Sequence, residues 1–196
     1  MVNINIIRDH VISKLKKELP ETLTYHNADH SLSVLIESTI IAKEEGISDE
    51  NALLELQIAA LYHDTGLLFG HTGHEEKSCE IAKKDLPPFG VNKNQIQNIC
   101  EIILATKMPQ APKNILQQII CDADLDYLGR NDFFVLSDKL RTEFRNYKII
   151  RTDEEWESSR IAFLQSHAYF TTSSQKRRNP GKHLHLKQLI NTQIKK

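Results

Sequence analysis

Three short runs in this 196-residue chain place imidazole and carboxylate groups where they can meet on one ion. His26 and His30 stand four residues apart, a spacing that sets both rings on one side of a helical turn. His63 and Asp64 are adjacent at the end of an apolar stretch. On a continuous helix neighbouring side chains diverge by about 100°, but at a helix terminus facing a pocket they can converge. Asp122-Ala123-Asp124-Leu125-Asp126 closes a third apolar stretch, and periodicity alone lets either Asp122 or Asp124 face inward. Imidazole with carboxylate suits Zn, Mn, Fe or Mg, and ligands drawn from three helices leave coordination positions for water. Such a site is built for hydrolysis. Any one of the pairs alone would more often be a hydrogen-bonded helix end; their order and context give them weight.

Holding three such runs together requires helices, and the chain supplies little else. Seven glycines and six prolines are few for its length, and apolar residues recur at helical spacing nearly throughout, so the predicted fold class is an all-α, single-domain helical bundle. The first helix spans 3–19, with Ile4, Ile7, Val11, Ile12, Leu15 and Leu19 inward and Pro20 stopping it. A second starts near Asp29, with Leu32, Leu35, Ile36, Thr39 and Ile40 as the predicted inner stripe and Gly46 at its end. A third, 49–64, carries Leu53, Leu56, Ala60 and His63 on one face, and Gly66 marks its exit. Helices follow at 74–86, 92–106, 114–124, 132–149 and 154–170, separated by breakers such as Pro87-Pro88, Pro109 and Pro112. Asn92 with Gln95, and Thr152 with Glu155, have the spacing of reciprocal caps. The segment 171–182, with its Ser, Lys and Arg residues and Pro180-Gly181, is expected to be a loop before a last helix at 183–194.

At this level of detail the chain resembles the HD superfamily of metal-dependent phosphohydrolases, whose pattern is H…HD…D. The likeness covers roughly residues 20–130. Tyr25-His26-Asn27-Ala28-Asp29-His30 is similar to a segment of the cyclic-nucleotide phosphodiesterases within that superfamily, and Leu61-Tyr62-His63-Asp64-Thr65-Gly66 resembles a run common to many members. The resemblance implies one HD-type domain over 1–196, with a motif core at 20–130 and a helical C-terminal extension at 131–196 packing on it. It implies that His30, His63, Asp64 and Asp124 coordinate one or two divalent ions, and Asp124 is preferred over Asp122 on this ground. Asp64 is the carboxylate that would bridge a second ion, and either Asp64 or Asp124 would orient the nucleophile. His26 would protonate the leaving oxygen, a role histidine's ordinary pKa of ~6.5 suits. His74 and His71, in Gly70-His71-Thr72-Gly73-His74, resemble positions that hold a second metal or contact phosphate, and Lys107 one that binds a phosphate oxygen. The expected substrate is a small phosphorylated molecule, a nucleotide or cyclic nucleotide. The glutamine-and-aromatic purine clamp of the phosphodiesterases is not found. A diiron oxygenase would draw its extra ligands from His71 and His74. The alternative to an enzyme is an HD module that binds metal and serves as a sensor or interaction surface; a purely structural bundle is the third reading.

Composition narrows the field further. Lys plus Arg at 25 against Asp plus Glu at 26 gives a formal charge of −1, which offers no global attraction to nucleic acid or a membrane surface, so any phosphate preference is local. The one concentrated basic run, Ser174 to Arg178 with Lys182, His183 and His185, makes Arg177 and Lys182 weak candidates for closing over substrate; solvated cations are the plainer reading. Cys79, Cys100 and Cys121, odd in number and set in apolar helical patterns, read as reduced core thiols. The N-terminus lacks the order of a signal peptide and no stretch approaches the ~20 apolar residues of a membrane span. The expected place is the cytoplasm, and a homodimer is an expected assembly.

Overall fold

The computed structural model describes residues 2–194. Among these the secondary structure is helical: α1 (Ile4–Glu18), α2 (Ala28–Glu44), α3 (Glu50–Tyr62), α4 (His74–Asp85), α5 (Lys93–Leu104), α6 (Ile115–Asp124), α7 (Phe133–Asn146), α8 (Asp153–Ser166) and α9 (Thr172–Ile194), with short 3₁₀ turns at Thr65–Phe69, Pro87–Phe89 and Asp126–Gly129. Local chemistry explains many of the starts. Asn3, Asn27, Asp49 and Asn114 each accept a backbone N–H of the helix they precede, and both predicted reciprocal caps, Asn92 with Gln95 and Thr152 with Glu155, are formed.

The centre of the bundle is α3, buried on nearly every side through Leu56, Ile58, Ala59, Ala60, Leu61 and Tyr62. A helix apolar all round belongs in the interior, and α1, α2, α4, α5 and α6 surround this one. A second apolar cluster joins Tyr25, Tyr127, Leu128 and Phe133 to Ile161, Leu164, Tyr169 and Leu189, and so ties α7, α8 and α9 to the turn that follows α6. No helix among the described residues is long and apolar enough to cross a membrane. The three cysteines are free and buried.

Three expectations fail, each for a physical reason. The inner face of α2 is not the Leu32-Leu35-Ile36-Thr39-Ile40 stripe: Ile36 is 56% exposed and Ile40 38%, while His30, Ser31, Val34, Ser38, Ile41 and Ala42 are buried. Small residues on that face allow close approach to α3 and α6, so packing rather than the largest apolar side chains sets the rotation. Helix α8 ends at Ser166 instead of Phe170, because Phe170 and Thr171 give their backbone N–H groups to Asp122 at 2.8 Å each. The predicted loop 171–182 is the first half of α9, with Pro180 inside the helix. Its cations do not repel one another into solvent, since Arg177 pairs with Glu37 and Glu44, and Arg178 with Asp126 and Glu37. Gly181 is there for contact: a Cβ on it would lie 2.2 Å from the Gly129 carbonyl oxygen, so α9 meets the Asp126–Gly129 turn backbone to backbone.

Candidate metal centre

Each predicted ligand is placed by a helix end. The Asn27 side chain accepts from the N–H groups of Asp29 and His30, which starts α2 and fixes His30 in its first turn. His63 caps the C-terminus of α3 with near-helical backbone angles, whereas Asp64 leaves the helix at φ −105°, ψ 3°. That departure is how adjacent side chains reach one point. Asp124 is the last residue of α6. Asp122, one turn face away, is fully buried and spends its oxygens on Phe170 N, Thr171 N and Thr171 Oγ1, so it is the anchor of the α8–α9 link and Asp124 is the ligand candidate.

His30 Nε2 and His63 Nε2 stand 3.3 Å apart. Asp124 Oδ1 is 3.1 Å from the first and 3.5 Å from the second. Asp64 Oδ2 is 3.4 Å from His30 Nε2 and 3.2 Å from His63 Nε2. His63 Nδ1–H donates to the Ala60 carbonyl at 2.9 Å, an outer bond that leaves the Nε2 lone pair for the shared point. Asp64 Oδ2 is buried without a well-formed hydrogen bond. Donor type, convergence and this under-used oxygen fit a divalent cation. The electrostatics agree. Burial disfavours charge on both imidazoles, yet the Asp64 and Asp124 carboxylates more than offset it and push His30 and especially His63 above the ordinary histidine value. Burial likewise opposes charge on Asp64 and Asp124, and the same imidazoles hold both carboxyls well below the usual range. Two carboxylates facing two buried imidazoles form a site that stabilises positive charge.

His74 joins from the far side. Its Nδ1–H donates to the His71 carbonyl at 2.9 Å and its Nε2 lies 3.4 Å from Asp64 Oδ1, so Asp64 offers one oxygen to the paired imidazoles and the other to His74. Burial would lower the His74 pKa, but Asp64 raises it to about 9. The approach of α4 depends on Gly66, where a Cβ would fall 1.9 Å from the His74 carbonyl oxygen, and on Ser78, which accepts from Gly66 N and donates to the His63 carbonyl. His26 and His71 flank the centre with ring centroids 6.2 Å apart. His71 packs edge-on against Tyr147, and burial lowers its pKa.

Glu143 on α7 was not anticipated. Its side chain is fully buried, and it accepts from Tyr25 N at 2.9 Å, His26 N at 3.0 Å and, in a short bond, His26 Nδ1. Burial would raise its pKa; the His26 bonds hold it low. An acid three residues after Leu140 and seven after Leu136, on the apolar side of an amphipathic helix, is the mark that could have found it.

Three predicted contacts are not brought to the centre. Exposed Lys107 pairs with Glu76. Arg177 is held by Glu37 and Glu44. Lys182 is buried by α9 with its ammonium on the His167 carbonyl and ring. That arrangement has a pH consequence. Burial, and then the Lys182 charge, push His167 down to about 4. From pH 6.5 down to 4 the unfolded chain therefore binds more protons at this position than the folded one, and stability falls across that window and no further below it. The loss should reach on the order of 3 kcal/mol. Urea unfolding of wild type and His167→Gln at pH 7 and pH 4.5 checks this: the variant should lose less stability on acidification, and parallel losses would refute it.

The centre opens into a cavity of about 420 Å³ that His26, Asp64, His71, His74 and Asp124 line at one end, while α7 and α8 supply the other. His30 and Asp124 also border a smaller cavity of about 160 Å³ beside Arg130, whose guanidinium is tied to Asp132 and Ser33.

The model of the HD domain family matches residues 27–126, which contain His30, His63, Asp64 and Asp124 but neither His26 nor Glu143. No curated protein matches the sequence. Among solved structures, a predicted HD superfamily hydrolase from an uncultured Thermotogales bacterium aligns with a TM-score of 0.62 at 16% identity, over 95% of this chain and 91% of that one. A structural-genomics target from Lactobacillus plantarum aligns with a TM-score of 0.70 at 17% identity, over 100% of both chains. At these identities the likeness is one of fold.

Proposed function

The chain belongs to the HD domain family, and from that premise we propose that it is a metal-dependent hydrolase acting on a small organic phosphoester, the class to which the nucleotides expected from the sequence belong. One observation carries the reading: His30, His63 and Asp124 bring one ligand atom each within 4.8 Å of one another at three helix ends, Asp64 Oδ2 stands 3.4 and 3.2 Å from the two imidazoles, and Asp64 and Asp124 line a ligand-sized cavity. The likeness in fold to the predicted Thermotogales hydrolase supports it. When bound, Mn, Mg, Zn or Fe would supply acidified water and offset charge on phosphoryl oxygens. Asp64, with an oxygen toward each side, is the residue suited to serve two ions, with His74 extending the set.

The chain's own groups do the rest. Glu143 holds His26 by its Nδ1 and its backbone N–H, which aims Nε2 at the cavity end where a leaving oxygen departs and keeps the ring oriented as a proton donor. His26→Ala should therefore keep its metal, measured by elemental analysis, and lose on the order of 10²-fold or more in kcat. Glu143→Gln should lose about 10–100-fold by letting the ring turn. Loss of metal from either variant would mean that His26 serves as a ligand. The reaction is assigned to the cytoplasm, in keeping with three buried free thiols.

The test of the function is turnover of bis-p-nitrophenyl phosphate and p-nitrophenyl phosphate by metal-stripped protein refilled in turn with Mn, Mg, Zn and Fe. Metal-dependent turnover is expected, and the preferred ester assigns diester or monoester chemistry. Bound metal with no turnover of either would favour the sensor reading.

A further inference from the structure

We infer that the substrate of this site carries its phosphoryl group on an apolar body, an alkyl or aryl chain, rather than on a nucleoside. The inference rests on the proposed hydrolase for the phosphate end and on the cavity for the other. Away from the metal centre the walls are Leu128, Phe133, Leu140, Phe144, Trp156 and Phe163, contributed by the turn after α6 and by α7 and α8. Arg160, at the same end, gives one nitrogen to Ser137 Oγ at 3.1 Å and another to Glu157 at 2.6 Å.

Few side chains at this end offer a hydrogen-bond acceptor, the Ser137 and Ser159 hydroxyls among them. Trp156 is 4% exposed, and its indole N–H is buried with no partner, as is Nε of Arg160. Against walls made mostly of aromatic and aliphatic side chains, most polar groups of a base would find no partner. Each polar group of a nucleobase left unpaired in such surroundings weakens binding by a factor of roughly 5 to 150, the equivalent of about 1–3 kcal/mol. An alkyl chain has no such groups to satisfy, and each methylene moved from water into the cavity strengthens binding about fourfold, the equivalent of ~0.8 kcal/mol. Both effects act in the same direction, and a cavity of about 420 Å³ lies within the range of small-ligand pockets.

Trp156 is the only tryptophan in the chain and lines this cavity, so its fluorescence reports occupancy directly. Metal-free and Mn-loaded protein would be titrated with n-alkyl phosphates from ethyl to octyl and with adenosine monophosphate. Kd should fall about fourfold per methylene until the cavity is filled, in both forms of the protein, with adenosine monophosphate weaker than hexyl phosphate. Leu140→Gln, which keeps the volume of a half-buried wall residue but makes it polar, should flatten the series. A Kd independent of chain length, or tighter binding of adenosine monophosphate than of octyl phosphate, would overturn the inference. A graded series in a protein that hydrolyses neither chromogenic ester would remove the catalytic reading and leave the apolar site standing; a flat series in an active enzyme would do the reverse.

Discussion

Asp64→Ala should abolish both metal retention and turnover, with kcat/KM down by roughly a thousandfold or more. The expected size follows from geometry: this carboxylate lies within 3.4 Å of the Nε2 atoms of His30, His63 and His74, so its removal takes away a ligand and the charge that orients three imidazoles. The variant would leave Asp124 as the sole carboxylate against a positive cluster, a set that disfavours a divalent cation. Elemental analysis after dialysis, alongside hydrolysis of the chromogenic esters, reads both effects. Full metal occupancy in Asp64→Ala would show that the ion sits elsewhere.

Gly181→Ala, a conservative change, should destabilise the fold strongly. In an exposed helix the substitution would help by about 1 kcal/mol. Here the new methyl would overlap the Gly129 carbonyl oxygen at 2.2 Å and the Gly129 carbonyl carbon at 2.9 Å, and both are backbone atoms that cannot swing aside. Overpacking of this kind costs about 1–3 kcal/mol and more where backbone must move, so a net loss of at least ~2 kcal/mol is expected and a Tm lower by roughly 5–10 °C. Since the Asp126–Gly129 turn directly follows Asp124, metal affinity should weaken as well. A thermal melt with an unchanged or higher Tm would show that α9 does not press on this turn.

The candidate ligands stood out because they sit at helix ends, which the sequence marks: a helix start near Asp29 beside His30, Gly66 after His63-Asp64, and a helix over 114–124 that closes on Asp124. The choice between Asp122 and Asp124 was not legible from periodicity, since both are held inward; what separates them is a backbone pair, Phe170 and Thr171, some forty-eight residues away. The same holds for α9. Ser, Lys, Arg, Pro and Gly in 171–182 have weak helical preference, and the segment is helical because Glu37, Glu44 and Asp126 meet its cations and Gly129 meets its glycine. The rotation of α2 was misjudged because small and polar side chains, not the isoleucines, face α3 and α6. Glu143 lay in plain view as an acid on an apolar stripe, but nothing local said that its partners would be Tyr25 and His26.

All four candidate ligands lie in the first 124 residues, yet groups that steady their surroundings come later: Glu143, and the Phe170-Thr171 backbone that fastens the end of α6 through Asp122. A ribosome that has delivered Asp124 has therefore delivered every donor atom of the centre before the clasp that steadies it. At about 5–20 residues per second the interval is several seconds. The candidate donors should therefore bind metal weakly until the later segments have folded onto them, so that metal affinity becomes a readout of tertiary folding.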